Sequence, residues 1–540
     1  MRIIFLFLTT LVFVSCTQTP ATSDDTDTRP NILVLMADDL GYADLGCYGG
    51  DIETPNIDQL AAEGLRFSRY HTSPLCAPTR AMFLSGNDNH IAGMGIQSTR
   101  PRGTGYEGRL TDRIATIPEL LKTAGYHTYM TGKWHLGEDS TSYPYARGFD
   151  RSFVNLLGAG NHYDDQGLFA RHPKSPYVED NRPATWPDGA YSTDFFTDKL
   201  ISYIEENRGD DAPFFAFAAY TSPHWPLQVD TSHWHKYIGR YDDGYESLKA
   251  RRLESLKQAG MIPQSAVLPP NHERVKPWGS LSAEQRRHEA RKMELYAGMV
   301  DNLDHNVGRI VAYLKETGQY ENTLIVFLSD NGAAAEDFYH DPSRTFIREH
   351  FNEDYETMGG PRSFISYGPQ WAEAGSAPFK YFKGLTTQGG LVAPMVLKGP
   401  TAGKQGVILH TFVTVLDLAP TFYQLAGVEY PEIYNGRAVH PLRGKSLLPV
   451  LQGETETLHG ADDVFAFEHD NAAMLRRGDW KIVNLDKPLD EANFALYNVS
   501  QDLAEIRNVR DSEPEIFDEL LAAWRQFADE AYVQVPSPGW

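Results

Sequence analysis

The sequence predicts an α/β fold: a large, mostly parallel sheet flanked by helices, with a small α+β unit at its C-terminal end. Three observations carry that reading. Continuous apolar runs of strand length alternate with stretches of helical periodicity, the pattern of parallel β–α units. Polar and charged clusters stand directly after those runs, where the carboxyl ends of parallel strands would gather them. After about Gly444 the texture changes to short strands and one closing helix. The composition, 41% hydrophobic and 22% charged over 540 residues, is that of an ordinary globular protein. A net charge of −23 excludes the basic footprint of a nucleic-acid partner, but a small anion can still bind in a cleft lined by local cations.

Taken in order, Met1-Arg2, the apolar run Ile3 to Val14 and Ser15-Cys16 resemble a lipoprotein-type signal over 1–16, with Cys16 as the lipidation site. The run is too short to span a bilayer. Residues 17–29 are polar and read as a flexible tether, 30–444 as the main domain and 445–540 as a C-terminal subdomain. The protein is therefore expected to be exported, periplasmic or attached to the outer membrane of a bacterium, touching the membrane only through lipid. Asn31 to Met36 is apolar throughout, as a strand buried on both faces must be. Thr54-Pro55 starts a helix that stops before Gly64, and Ile117-Pro118 repeats the device up to Gly125. Tyr126–Met130 and Phe214–Tyr220 read as further strands. From Ser282 to Thr317, apolar residues three and four apart mark the longest helix. Thr323–Leu328 and Leu391–Leu397 are the next predicted strands. Between them, Gly332 to Lys383 reads as an irregular functional loop, with Tyr367 and Trp371 able to stack on a substrate ring. A four-stranded antiparallel sheet and a helix near Pro514–Glu530 complete the C-terminal unit.

The chemistry concentrates at a few positions. Cys76 stands in Ser73-Pro74-Leu75-Cys76-Ala77-Pro78-Thr79-Arg80, where Arg80 places a permanent cation near the thiol. Three cysteines make no disulfide framework, and Cys47 reads as a small buried apolar residue. Asp38-Asp39 follows the first strand and Asp330-Asn331 follows Thr323–Ser329. Each pair alone could be a turn or cap; together, three carboxylates and an amide oxygen at one rim call for a hard cation, Ca²⁺ or Mg²⁺. Lys133 and His135, two apart in Gly132-Lys133-Trp134-His135, are expected on one side of an extended segment. His224 lies between Pro223 and Pro226, again after a strand, and Lys383 precedes Gly389-Gly390.

These blocks resemble the type I, formylglycine-dependent sulfatases of the alkaline phosphatase superfamily, arylsulfatases in particular, from about Pro30 to Asn508. Cys76-Ala77-Pro78-Thr79-Arg80 with Leu84-Ser85-Gly86 is similar to the family signature, Thr79 standing where serine is commoner. Asp38-Asp39-Leu40-Gly41, Gly132–Gly137, Pro223-His224 and Ser329-Asp330-Asn331-Gly332 follow in the expected order. Gln388-Gly389-Gly390 departs from the family's frequent Glu-Gly-Gly. The resemblance implies that a maturation enzyme oxidises Cys76 to Cα-formylglycine. One oxygen of its hydrated aldehyde then attacks the sulfur of a small sulfate ester, an aryl sulfate or a sulfated sugar. It implies one Ca²⁺ held by Asp38, Asp39, Asp330, Asn331 and the group made from Cys76. Arg80 and Lys133 would hold the formylglycine oxygens, His135 would act as base, and His224 and Lys383 would bind sulfate and assist the leaving oxygen. Phosphonate or phosphate ester hydrolysis with the same nucleophile is the nearest alternative. A sulfated-glycan-binding protein without catalysis is the alternative of another class.

Overall fold

The computed structural model describes residues 29–97 and 100–538, so the signal and tether expected before residue 29, with Cys16, lie outside the described residues. Ten strands form one sheet. From edge to edge they are Val407–Leu409, Leu65–Phe67, Met395–Lys398, Thr323–Ser329, Asn31–Ala37, Phe214–Ala219, His127–Lys133, Arg151–Asn155, Tyr177–Glu179 and Arg182–Ala184. The five from Thr323–Ser329 to Arg151–Asn155 are mutually parallel, and antiparallel pairs flank them on both sides. Two apolar clusters cover the two faces. Leu33, Leu35, Phe327 and Ala216 belong to one, and Ile32, Val34, Val326 and Phe217 to the other. That division follows from the two-residue period of a strand, and it explains why the central runs are apolar throughout.

The predicted helices form at Pro55–Glu63, Ile117–Thr123 and Ala283–Glu316. The last is started by a capping box between Ser282 and Gln285, and it buries Met293, Tyr296, Val300, Leu303, Val307, Ile310 and Leu314. In the C-terminal unit, Val464–His469, Ala472–Arg477, Trp480–Asn484 and Ala495–Asn498 make the expected antiparallel sheet. Leu475, Ile482 and Leu496 pack under Phe517, Leu520, Trp524 and Phe527 of the helix Pro514–Glu530. Phe467, Met474 and Val483 face the main domain. The small sheet is thus buried on both faces.

Three expectations need correction. Leu391–Leu397 is not one strand: Gln388–Leu391 is a helical turn and the strand is Met395–Lys398, beginning after Pro394, which has no N–H to pair. The stretch from Gly332 to Lys383 holds two short helices, Thr345–His350 and Gly368–Gly375. Tyr367 and Trp371 are core residues within it. Trp371 is fully buried against Tyr241, Tyr245 and Trp278, and Tyr367 stacks on Tyr296 at 4.5 Å. Cys47 is half-buried, packed at the edge of the core. No helix among the described residues is long and apolar enough to cross a membrane.

Candidate active site

Strand register builds the site. Ala37 pairs with Ser329 and Met36 with Ala219, while Ala219 pairs with Gly132, so Asp38, Asp330, the segment leading to His224, and Lys133 leave the sheet along one rim. Gly132 has φ 105°, and a Cβ there would sit 1.8 Å from the Ala219 carbonyl oxygen. Only glycine fits that close pairing beside Lys133. Asp39 (φ 68°) and His135 (φ 60°) are held in the left-handed region, a strain of order 1–3 kcal/mol each that surrounding packing must sustain. The expectation of an extended run from Lys133 to His135 is therefore wrong: the strand ends at Lys133 and the chain turns at His135.

Cys76 is the first residue of the helix Cys76–Ser85, buried, with Sγ 3.8 Å from the Gln97 amide oxygen. A ligand atom from Cys76, Asp38 and Asp330 can all lie within 4.8 Å of one another, and the same holds for Asp38, Asp39 and His224. Three cations close around the carboxylates. Lys133 Nζ donates to both Asp38 oxygens at 2.8 and 2.9 Å. Arg80 donates to Asp330 Oδ2 through Nε and Nη2 at 3.0 and 2.7 Å, and through Nη1 to the Lys133 carbonyl at 3.1 Å. Lys383 Nζ donates to Asp39 Oδ2 at 2.8 Å, with Glu336 at 3.6 Å, and His224 Nε2 lies 3.4 Å from the same Asp39 oxygen. Asn331 donates its amide to Asp39 Oδ1 at 2.7 Å and to the Gly332 carbonyl at 2.8 Å. Its own amide oxygen is buried and has no hydrogen-bond partner. All the predicted site residues meet here.

The electrostatics follow from burial. Burial pushes the Asp38 carboxyl up to about 8 against the pull of Lys133, and Asp330 adds to the rise. Burial likewise raises the Cys76 thiol although Lys133 and Lys383 oppose it, so the unmodified thiol stays protonated at neutral pH and is a weak nucleophile. His135 and His224 are held well below the usual imidazole range, first by burial and then by Lys133 and Lys383 among their neighbours. Burial works against the Lys383 ammonium, but Asp39 and Glu336 outweigh it and hold the group well above the lysine range.

Above Cys76 opens a cavity of about 610 Å³. Its lining includes Leu157, Phe169, Trp225, Phe338 and Arg344. Trp225 and Phe338 meet edge to face at 4.7 Å, and the Arg344 guanidinium lies 4.5 Å from the Phe338 ring centre. Of these, only Trp225 stands beside a motif residue in the sequence, directly after His224. Gln97, Glu336, Phe338 and Arg344 lie outside the motif blocks, in segments without periodicity, and only the fold brings them here.

A family profile described as Sulfatase matches residues 30–428. An uncharacterized sulfatase of Schizosaccharomyces pombe is 38% identical over 525 residues, covering 94% of each chain. An arylsulfatase of Klebsiella aerogenes is 39% identical over 429 residues, covering 78% of this chain and 91% of the relative. Among solved structures, Ps i-CgsB in complex with k-i-k-neocarrahexaose superposes with a TM-score of 0.67 at 25% identity, over 95% of both chains. The family match over residues 30–428, the arylsulfatase relative and the superposition along nearly the whole chain agree: the chain belongs to the sulfatase family, in the alkaline phosphatase superfamily, and is a sulfatase enzyme.

Proposed function

We propose that the protein hydrolyses small sulfate monoesters, aryl sulfates or sulfated sugars, at the floor of the 610 Å³ cavity. In this reading a maturation enzyme converts Cys76 to Cα-formylglycine. Asp38, Asp39, Asp330, Asn331 and the oxygen made at Cys76 hold one Ca²⁺. The observation that carries the reading is the orphaned, buried Asn331 amide oxygen among three buried carboxylates. An all-oxygen donor set of that kind fits a hard cation and not zinc, and an unpartnered buried oxygen is costly unless something accepts its lone pairs.

When bound, calcium supplies positive charge that polarises the sulfate oxygens, and the hydrated aldehyde supplies the attacking oxygen. The protein's own groups do the rest. Asp330, Asp38 and Asp39 pair with Arg80, Lys133 and Lys383 respectively, which holds the three cations in place at the rim. Arg80 and Lys133 sit beside Cys76 to stabilise charge developing on its oxygens. His135 is neutral, and its buried Nδ1 has no hydrogen-bond partner, as a proton acceptor needs. His224 Nδ1 donates to the Trp225 carbonyl at 2.7 Å, so a neutral ring presents a bare Nε2 to the site. Lys383, which keeps its proton, is then the better group to protonate the leaving oxygen. The domain limits 30–444 and 445–540, export, and lipidation at Cys16 belong to the same proposal.

Turnover of a chromogenic aryl sulfate tests it. Chelation should abolish activity and calcium should restore it, while Cys76→Ala should lose about 10⁴-fold or more in kcat. Full activity in chelator, or in Cys76→Ala, would contradict the reading.

A further inference from the structure

A second cavity, of about 320 Å³, lies where the C-terminal sheet meets the main domain. Its polar lining is Arg69, His71, His410, Arg476, Gln388 and two serines, and no carboxylate among the described residues lines it. That is unusual in a chain with 72 acidic and 49 basic residues. The rest of the wall is apolar and includes Met261, Ile262, Phe379 and Leu503.

Arg476 is the telling residue. It is 2% exposed on the strand Ala472–Arg477. Its Nε donates to the Gly478 carbonyl at 2.9 Å, Nη1 donates to His71 Nε2 at 3.1 Å, and the guanidinium lies 4.0 Å from the Phe412 ring centre. Nη2 is buried and has no hydrogen-bond partner. His71 donates Nδ1–H to the Arg69 carbonyl at 2.9 Å, which fixes a bare Nε2 and leaves the ring neutral, so it offers Arg476 no negative charge. Among the described residues, every other buried lysine or arginine has a carboxylate oxygen within 4.0 Å: Arg80, Lys133, Arg147, Lys249, Arg252, Lys292, Lys383, Lys398 and Lys481. Arg476 has none. Burial and the nearby Arg69 charge push it down to about 9, with only partial compensation from Asp479 and Glu505. A buried cation without a counter-charge costs several kcal/mol and is ordinarily paired.

We propose that this cavity is a second ligand site, which takes a small organic anion. A carboxylate or sulfate group would lie against Arg476 and Arg69, and a compact apolar body against Met261, Ile262, Phe379 and Leu503. The anionic group supplies the missing partner of Arg476, and a guanidinium matches such planar or forked oxygens bidentately. The apolar wall explains why an inorganic anion alone would fill the site poorly.

The test uses the full chain with benzoate, neutral benzamide and 4-iodobenzoate. Calorimetry should detect benzoate but not benzamide. Affinity for benzoate should fall about tenfold or more in Arg69→Gln and in Arg476→Met, while aryl sulfate turnover of Arg69→Gln stays within about twofold of the parent. Anomalous scattering from crystals soaked in 4-iodobenzoate should place iodine between Met261 and Phe379. Arg69 has a side chain one-third exposed, so its variant carries the test even if Arg476→Met does not fold. Equal binding of benzoate and benzamide, parental affinity in Arg69→Gln, or iodine confined to the Cys76 cavity would each overturn the proposal.

Discussion

Asn331 shows how much one side chain can say. Its amide nitrogen is spent on Asp39 and Gly332, so its oxygen is free to face a cation. Asn331→Ala should therefore weaken calcium binding at least about tenfold, the smallest loss typical even of groups one shell out from a metal. Calcium titration of the apo protein checks it. At His135 the sign of the pH effect follows from burial and neighbouring cations, which favour the neutral ring. The proposed function as base would be present above its lowered pKa and lost only on protonation below it. The acid limb of kcat/KM should lie below pH 6.5, the ordinary imidazole value, and a pH profile of the wild type measures this. Asp38, Asp39, Asp330 and Asn331 were legible because polar groups gathered at strand ends are costly without a task, and Cys76 because Arg80 stands close after it. Arg476 was not legible: the first of two arginines closing an apolar run looks like a surface residue until the fold buries it without a carboxylate partner.

At the scale of elements, the central strands and the long helix were readable from their apolar pattern alone, since each central strand is buried on both faces and the long helix along one stripe. The misreadings have local physical causes. Pro394 shortened a predicted strand, and the aromatic residues Tyr367 and Trp371 found a core in place of a ligand. The order of the ten strands rests on pairings such as Asn31 with Thr323, nearly three hundred residues apart, and no local pattern carries it. One connection between elements is open to test. Glu505 accepts from Lys481 Nζ and from the Gln388 backbone N–H, both at 2.7 Å, tying the C-terminal sheet to the turn Gln388–Leu391. That turn in turn supports the segment that follows Asp330 and Asn331, because the Gly390 carbonyl accepts from the Gly332 N–H at 3.2 Å. Glu505→Ala leaves the Lys481 ammonium buried and unpaired. Denaturant unfolding should show a loss of about 3–5 kcal/mol.

The whole molecule is held across its two units by a second buried network. His90 points Nδ1 at Asp88 (3.1 Å) and Nε2 at Glu468 (2.9 Å) of the C-terminal sheet. Burial works against the imidazolium, but the two carboxylates outweigh it and raise His90 to about 9. A folded pKa above the unfolded 6.5 contributes stability that is complete below about pH 6.5 and lost as pH rises through about 9. Wild type should therefore lose about 3 kcal/mol more than His90→Gln between pH 6 and pH 10, measured by denaturant unfolding. The central claim concerns Cys76. Intact and peptide mass spectra across it, taken on protein from its native host with aryl sulfate turnover measured on the same sample, test that claim most directly. The account predicts an active protein whose Cys76 peptide is lighter by about 18 Da, thiol having become aldehyde; full turnover from a protein carrying only the unmodified thiol would contradict it.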